Sequence, residues 1–401
     1  MTQTSCFCAF TFQSGPCPVL LKAISNRLDV CDDIEKVATL SFDAMKITEA
    51  IRYWEHEDRF VGFEDCGTGG RSAAIADQGL VAVLRGVAGS WKMPLAYYLV
   101  KTTAQQSRFP AMVMECLSAA HSVGVDVRVF TCDQERSQWA WLQGKGVSVE
   151  HPYILHPESQ MPVYVMPDVP HCLKNCRNAL RKYDIEFEPG KFARWQHFSR
   201  LWQLESGAQL RCAPKLKADH VELPVGKNMS VTLAAQTLSR SSAAAIRCYF
   251  RLGKMPGEAL HTAEFMDRVD EMFDLCNGAS PYGPPRKASF SSRNIKAKLE
   301  QLQQSIAWID QWRFLSTKIG SDFKESKQHC FPLGWRVSMS SISKLAPALL
   351  QEGFQHVPPR RLTQDHVEVS DNKYISSKDC AVTFCLLFVC VASEYLQYRS
   401  Q

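Results

Sequence analysis

Residues 36–48 read KVATLSFDAMKIT, an apolar run that contains a single acid, Asp43. A run of this length and composition predicts a β-strand. Two further runs, 80–87 (LVAVLRGV) and 94–100 (PLAYYLV), also predict strands, and the glycines and proline between them favour turns. The three runs together predict an antiparallel meander that carries one carboxylate.

A helix and a further strand follow the meander. Residues 110–123 (PAMVMECLSAAHSV) have apolar residues at helical spacing, and Gly124 is a typical helix end. Pro110 is acceptable if it lies in the first turn of that helix. Residues 125–132 (VDVRVFTC) then alternate as a strand that ends at Asp133. This order of helix, glycine, strand and acid predicts an α/β unit.

The pattern changes after the next strand, predicted at 162–166. Asp168 is expected to cap the basic helix that follows at 171–183. From about 190 to 345 helical patterns dominate, interrupted by a loop rich in Gly, Pro and Ser at 278–293. The helical runs in this part are 228–250, 262–276 and 294–317.

Composition sets broad limits on the class of protein. The 401 residues, 45% hydrophobic and 22% charged, are enough for two or three packed domains. The net charge of +5 is compatible with a polyanionic partner but does not require one. No signal-peptide pattern opens the chain, so most of the 16 cysteines are predicted to be reduced core residues. The apolar run 380–392 is shorter than the roughly 20 residues of a membrane span.

Asp43 lies within an apolar run that predicts a strand, and Asp133 ends another such run. A carboxylate in or at the end of an apolar strand is costly to bury unless it is paired or binds a metal. Two carboxylates on neighbouring strands could hold Mg²⁺ or Mn²⁺, and two such ions can activate water at a phosphodiester. Alternatively, each acid simply caps a turn at a strand end.

The segments quoted so far occur in the order found in one family. FDAMKI (42–47), VRVFTCD (127–133), MPDVPHCLKNCRNAL (166–180), APKLKADHVELPVGKNMSVTLAAQTLS (213–239) and RRLTQDHVE (360–368) resemble conserved segments of the P element-type DNA transposases and their THAP-domain-containing relatives. The resemblance extends over roughly residues 28–368.

This resemblance implies both a fold and a catalytic site. The fold class is α/β, with a ribonuclease-H-like catalytic domain (a mixed sheet flanked by helices) interrupted by a largely α-helical GTP-binding insertion domain. Asp43, Asp133 and Glu368 would be the catalytic acids that hold Mg²⁺ or Mn²⁺. On its own, Glu368 would be one acid at a polar helix start.

GTP binding is likewise implied by the resemblance, as an assembly cofactor. The chain has no G-x-x-x-x-G-K-[ST] loop, so the site would be of another kind. Basic and amide side chains of the helix after Asp168 are candidates for phosphate contacts, although a solvated helix face is an equal alternative. These candidates are His171, Lys174, Asn175, Arg177 and Asn178.

The expected domain boundaries follow from the same segments. We expect an N-terminal remnant or linker (1–35), the first part of the catalytic domain (36–168), the insertion (169–345), a truncated C-terminal part of the catalytic domain (346–379) and a divergent apolar tail (380–401). The expected partners are DNA (transposon ends and target DNA), GTP and further copies of the chain, with no membrane, in the nucleus.

Three departures from the family pattern bear on activity. Residues 1–35 lack the cysteine and histidine spacing of the family's zinc finger, and Ala44 stands where a glutamate is usual. Ala44 should be tolerated because neighbouring strand residues face opposite sides. After Glu368 the chain reads VSDNKYISSKDCAVTF instead of an aromatic helical run, which predicts impaired strand transfer. The alternative function is therefore a catalytically inactive, host-retained relative that binds GTP or DNA.

Overall fold

The computed structural model describes residues 14–55, 58–102, 105–133, 135–316 and 330–364. The chain divides into two compact units. The first consists of the chain up to Met166, residues 351–357 and the chain from Arg361 onward. The second consists of Pro167–Leu350 and Pro358–Arg360.

The first unit is built on a large β-sheet. The strands in residues 14–167 are β1 (Gly15–Pro16), β2 (Val37–Lys46), β3 (Arg52–Trp54), β4 (Arg59–Val61), β5 (Phe63–Asp65), β6 (Arg71–Ile75), β7 (Gln78–Gly86), β8 (Lys92–Val100), β9 (Asp126–Cys132), β10 (Tyr153–Leu155) and β11 (Pro162–Pro167). Nine of them form one sheet in the order β10-β11-β9-β2-β7-β8-β5-β6, with β1 paired to β8. Strands β3 and β4 form a separate hairpin.

Strand β2 lies in the middle of this sheet. It pairs antiparallel with β7, which pairs antiparallel with β8, so the predicted meander is confirmed. On its other side β2 pairs parallel with β9. The sheet is therefore mixed, as expected, and β2 has neighbours along both edges.

The helices of the first unit are α1 (Pro18–Leu28), α2 (Asp33–Lys36), α3 (Gln105–Ser122) and α4 (Arg136–Gly144). Helix α3 begins five residues before the predicted start, so Pro110 lies inside it rather than in the first turn. The missing N–H of Pro110 removes one backbone bond. Neighbouring Phe109 is buried against Phe42 and Phe130, at 5.4 and 6.4 Å between ring centroids, and this packing holds the helix to the sheet.

Residues 15–28 differ from the linker expected for residues 1–35. Strand β1 pairs with β8, and α1 buries Leu20, Ile24 and Leu28. The three leucine and isoleucine side chains repeat at intervals of four residues, so they share one helix face. This face is part of the core of the first unit.

The second unit is mostly helical but also contains a small sheet. Its helices are α5 (Val169–Leu180), α6 (Trp195–Ser206), α7 (Asp219–Glu222), α8 (Val231–Thr237), α9 (Arg240–Arg251), α10 (Ala259–Cys276), α11 (Ile295–Ile309) and α12 (Cys330–Gln351, of which Gln351 lies in the first unit). Its strands are β12 (Tyr183–Glu188), β13 (Lys191–Ala193) and β14 (Arg313–Ser316), in the order β13-β12-β14.

Three predicted helices of this unit have different bounds. The basic helix predicted at 171–183 ends at Leu180, and Tyr183 already pairs in β12. The run 228–250 is divided between α8 and α9, because Ser239 caps the second helix by accepting the backbone N–H of Ser242. The run 294–317 ends as a helix at Ile309 and continues as β14.

The aromatic core of the second unit explains that last change. Phe265 packs against Trp308 and Trp312, at 5.6 and 5.1 Å between ring centroids, and Trp312 in turn contacts Phe314. The side chains of Trp312 and Phe314 are two residues apart and both buried. That spacing matches the two-residue period of a strand rather than a helix.

Candidate catalytic acids and the helix at Val169–Leu180

Asp43 lies on β2, the central strand of the sheet, where it is half-buried. Its Oδ1 accepts the backbone N–H of Ala44 at 2.8 Å. Ala44 is exposed, as expected for the next residue of a strand, whose side chain points to the opposite face. The alanine at position 44 therefore does not disturb the face that carries Asp43.

Asp133 follows β9 directly and is brought next to Asp43 by the strand register. The last registered pair of the two parallel strands is Ser41 and Thr131. Asp43 and Asp133 each lie two residues beyond this pair. Because neighbouring strands are about 4.8 Å apart and run in the same direction, the two acids share the carboxyl edge of the sheet.

Glu135 is a further carboxylate whose titration is affected by the charge of Asp133. It occupies the cap position of α4 without making a side-chain cap bond. Partial burial raises the pKa of Glu135, and the negative charge of Asp133 raises it further. The one feature of the sequence that points to Glu135 is its position two residues after Asp133.

The segment 361–364 lies along the same two strands. Thr131 donates its hydroxyl to the carbonyl of Leu362 at 2.8 Å, and Gln364 donates its side-chain amide to the carbonyl of Phe42 at 2.7 Å. The Arg361 guanidinium donates to the carbonyls of residues 87–89 after β7. Thr131 and Gln364 are buried, so these bonds are shielded from water.

Glu368, the third predicted acid, lies outside the described residues. Within residues 14–364 as far as they are described, no three metal-ligating side chains lie together. The structure thus brings Asp43 and Asp133 to one sheet edge and leads the chain to that edge four residues before Glu368. Two carboxylates at that edge have the oxygen ligands that Mg²⁺ and Mn²⁺ prefer.

Asp168 has the capping role predicted from sequence. Its carboxylate accepts the backbone N–H of His171 at 3.0 Å, and Val169 and Pro170 begin α5. The His171 ring also lies 3.4 Å from the same carboxylate oxygen. These contacts account for an aspartate that is almost fully buried.

The five candidate phosphate contacts on α5 are not a uniform solvated face. Asn175 is exposed, and His171 and Asn178 are half-buried. Lys174 and Arg177 are buried, with 4% and 0% of their surface accessible. The helix therefore points two of its cations inward.

Arg177 is the more unusual of these two cations. Its guanidinium donates to Asn178 Oδ1 at 2.8 Å and to the carbonyl of Asn228, and that carbonyl also accepts the Asn178 amide at 3.3 Å. No carboxylate of the described residues pairs with it, and its Nη1 is buried without a hydrogen-bond partner there. Burial lowers the pKa of Arg177 to about 10, and the charge of Arg181 contributes to the lowering. A buried cation without a counter-ion is costly, which favours a role in binding.

A mixed sheet with flanking helices, one aspartate on β2 and a second directly after the parallel strand β9 are the features of a ribonuclease-H-like fold. Residues 12–144 match the family described as "TNP-like, RNase H N-terminal domain". Residues 170–289 match the family described as "TNP-like, GTP-binding insertion domain". The two matches lie in the two compact units and together cover more than half of the chain.

Known proteins agree with these family matches. The chain is 24% identical to the Transposable element P transposase of Drosophila melanogaster over 354 residues, covering 85% of this chain and 42% of that protein. It is 24% identical to DNA transposase THAP9 of Homo sapiens over 275 residues, covering 65% of this chain and 30% of that protein. The solved Drosophila P element transposase strand transfer complex matches with a TM-score of 0.81 at 20% identity, over 100% of this chain and 86% of that one.

The chain therefore belongs to the P element-type transposase family, which includes THAP9. It spans less than half the length of the two curated relatives. No helix in the described part of the chain is both long and apolar enough to cross a membrane.

Proposed function

We propose that this chain is a P element-like transposase or a transposase-derived protein that cleaves and transfers DNA strands with the help of divalent metal ions. One observation supports the proposal: the parallel pairing of β2 and β9 ends at Ser41 and Thr131, two residues before Asp43 and Asp133 respectively. Transposon ends and target DNA are the substrates, and the nucleus is the expected location.

Asp43, Asp133 and Glu368 would hold the ions, which supply an activated water and stabilise the leaving oxygen at a phosphodiester. The residues of the chain position these carboxylates. Phe42, immediately before Asp43, packs against Phe109 and Phe130, and this packing holds β2 in position. The bonds of Thr131 and Gln364 hold the segment before Glu368 on the same strands. With four residues spanning at most about 14 Å, Glu368 is within chain reach of that edge.

GTP is the second ligand in this proposal, as an assembly cofactor, and further copies of the chain are the expected assembly partners. His171, Lys174, Asn175, Arg177 and Asn178 are the proposed contact residues on α5. Support comes from the match of residues 170–289 to a GTP-binding family and from the uncompensated guanidinium of Arg177. Arg177 and Asn178 both bind the carbonyl of Asn228, which lies in the 213–239 segment.

A catalytically inactive, host-retained relative that binds GTP or DNA is the second candidate. The observation that favours it is the sequence after Glu368, VSDNKYISSKDCAVTF, which departs from the family's aromatic helical run. If no helix orients Glu368 toward Asp43 and Asp133, these two aspartates lack the third metal-binding carboxylate.

Nicking of supercoiled plasmid in Mg²⁺ or Mn²⁺ separates the two candidates. We expect nicking that chelation abolishes and that Asp43→Asn or Asp133→Asn lowers by about 100-fold or more, equivalent to roughly 2.7 kcal/mol of transition-state stabilisation. Asp29→Asn, which changes an exposed aspartate of the same unit, is the matched control and should retain activity. Nicking that survives both substitutions would refute the proposed site.

Thermal stabilisation by GTP tests the second ligand independently of cleavage. We expect GTP to raise the melting temperature of the wild-type chain and of Asp43→Asn equally, because the acids are not proposed to bind the nucleotide. Stabilisation by GTP without any nicking would favour the inactive relative. No stabilisation at millimolar GTP would contradict the GTP part of the proposal.

A further inference from the structure

Two thiols of the second unit lie in contact although they are 36 residues apart in sequence. The Sγ atoms of Cys212 and Cys248 are 3.5 Å apart. Cys212 lies in the connection between α6 and α7 and is exposed, whereas Cys248 lies on α9 and is half-buried. Seven of the other described cysteines are buried and are accounted for by packing.

The backbone at Cys212 is held firmly in this position. Glu205, at the end of α6, is fully buried, and its two carboxylate oxygens accept the backbone N–H groups of Cys212 and Ala213, each at 2.9 Å. Bonds to a charged acceptor are stronger than neutral ones. The Sγ atom of Cys212 therefore belongs to a loop whose backbone is held at the end of α6.

We propose that Cys212 and Cys248 are a thiol modification site that forms a reversible intramolecular disulfide. The sulfur atoms must approach by about 1.5 Å to reach the disulfide length of roughly 2.05 Å, which side-chain rotation and a small loop shift can supply. The exposure of Cys212 gives a small oxidant access to the pair.

Hydrogen peroxide is the class of oxidant that this reaction needs. One thiolate attacks a peroxide oxygen, so that an S–O bond forms, the O–O bond breaks, and the departing hydroxide takes up a proton as water. The second thiolate attacks the resulting sulfenic sulfur, forming the S–S bond and releasing the oxygen as a second water. Two thiols are oxidised by two electrons, one peroxide is reduced, and a dithiol reductant reverses the change.

The rate of this reaction should depend on pH. Burial raises the pKa of the Cys212 thiol, and the neighbouring Cys248 raises it further. Since the thiolate is the nucleophile, the pair reacts slowly at neutral pH and faster as pH rises. Such a pair stays reduced in a reducing compartment and responds only to sustained oxidation.

The closed disulfide would join the loop after α6 to α9. It would restrain a chain segment of 36 residues in the unfolded state, which stabilises the second unit. That loop leads directly into the 213–239 segment.

Tryptic peptides give a direct test on the full chain. Trypsin cleaves after Arg211, Lys215, Arg247 and Arg251, so the two cysteines fall in the tetrapeptides CAPK (212–215) and CYFR (248–251). After peroxide treatment and blocking of the remaining thiols, we expect these two peptides to be linked in a monomeric chain. The link should disappear on reduction and in Cys212→Ser or Cys248→Ser, and it should persist in the control Cys31→Ser.

Recovery of the two tetrapeptides as separate blocked or over-oxidised species would overturn the proposal, as would equal linkage of Cys212 to other cysteines. A second measurement is the melting temperature. Oxidation should raise it by several degrees in the wild-type chain and not in Cys212→Ser. An unchanged melting temperature in a fully linked chain would contradict the restraint on the loop.

Discussion

The side-chain amide of Gln364 donates a 2.7 Å hydrogen bond to the backbone carbonyl of Phe42, 322 residues away in sequence. Phe42 is the residue before Asp43. Gln364 is almost fully buried, so this bond ties the end of the described chain to the strand that carries the first acid. A similar bond from Thr131 to the carbonyl of Leu362 ties it to the strand that leads to Asp133.

Removal of either bond should loosen this segment. We expect Gln364→Leu and Thr131→Val each to lower the free energy of unfolding by about 1–3 kcal/mol, because a buried carbonyl loses its partner. Urea unfolding of the variants measures the loss. The exposed Gln303→Leu is the control and should change stability by less than about 0.5 kcal/mol. A Gln364→Leu variant as stable as the wild type would show that this bond does not hold the segment.

The cap of α5 gives a prediction with an internal control. Asp168→Ala removes the acceptor for the His171 N–H and should cost about 1 kcal/mol, within a range of roughly 0.5–2. Asp168→Asn keeps a side-chain oxygen at the cap and should recover most of that loss. If the asparagine variant is no better than alanine in chemical unfolding, the contribution comes from charge rather than from capping.

The central strands of the first unit could be predicted from sequence because each of them is a continuous apolar run. Strands β2, β7, β8 and β9 are buried over most of their length, so their hydrophobicity does not depend on which face is considered. The acids Asp43 and Asp133 stood out against those runs for the same reason. Their neighbouring positions follow from the parallel pairing, which sequence could only suggest.

The rest depended on contacts between distant residues. Strand β12 has the sequence YDIEFE and buries only Ile185 and Phe187. Two alternating apolar residues are too few to predict a strand among the long helical patterns around it. The docking of residues 361–364 on β2 and β9 joins positions more than 200 residues apart, and no local pattern encodes it. The burial of the Arg177 side chain could not be predicted from sequence, because basic residues of a helix are usually exposed to solvent.

His197 gives the chain a pH-dependent stability. Burial lowers the pKa of His197, with a further lowering from Arg194, so the folded ring stays neutral where the unfolded ring binds a proton. The hydroxyl of Thr262 accepts the backbone N–H of Arg194 at 3.0 Å and lies 2.7 Å from His197 Nδ1, so its own hydrogen is placed to be donated to the neutral ring.

Below the unfolded pKa of about 6.5, the unfolded chain binds more protons, so stability falls as pH falls toward the folded pKa, by up to about 1.4 kcal/mol per pH unit. Urea unfolding of wild type and His197→Gln between pH 5 and pH 7.5 measures this contribution. The difference between the two chains should shift in favour of the glutamine variant as pH falls. A difference that stays constant over this range would show that His197 titrates normally in the fold.

The substitution Arg177→Met on α5 tests whether this residue contributes to GTP binding or to the stability of the fold. Methionine is unbranched and apolar, although shorter than arginine, and it removes a buried charge that has no carboxylate partner among the described residues. The carbonyl of Asn228 still accepts the Asn178 amide, so the substitution leaves it partnered. We therefore expect the free energy of unfolding to stay within about 1 kcal/mol of the wild type or to rise, because replacing buried charges by apolar groups is often neutral or stabilising.

The stabilisation of the chain by GTP should nevertheless be lost or strongly reduced in Arg177→Met. Unfolding with and without GTP, monitored by fluorescence, measures both quantities in one series. Arg200→Met, which changes an exposed arginine of α6 in the same unit, should alter neither quantity. A fall of more than about 2 kcal/mol in the free energy of unfolding of Arg177→Met would mean that the guanidinium stabilises the fold. A residue retained for binding at the expense of stability should instead leave that free energy unchanged or raise it when replaced.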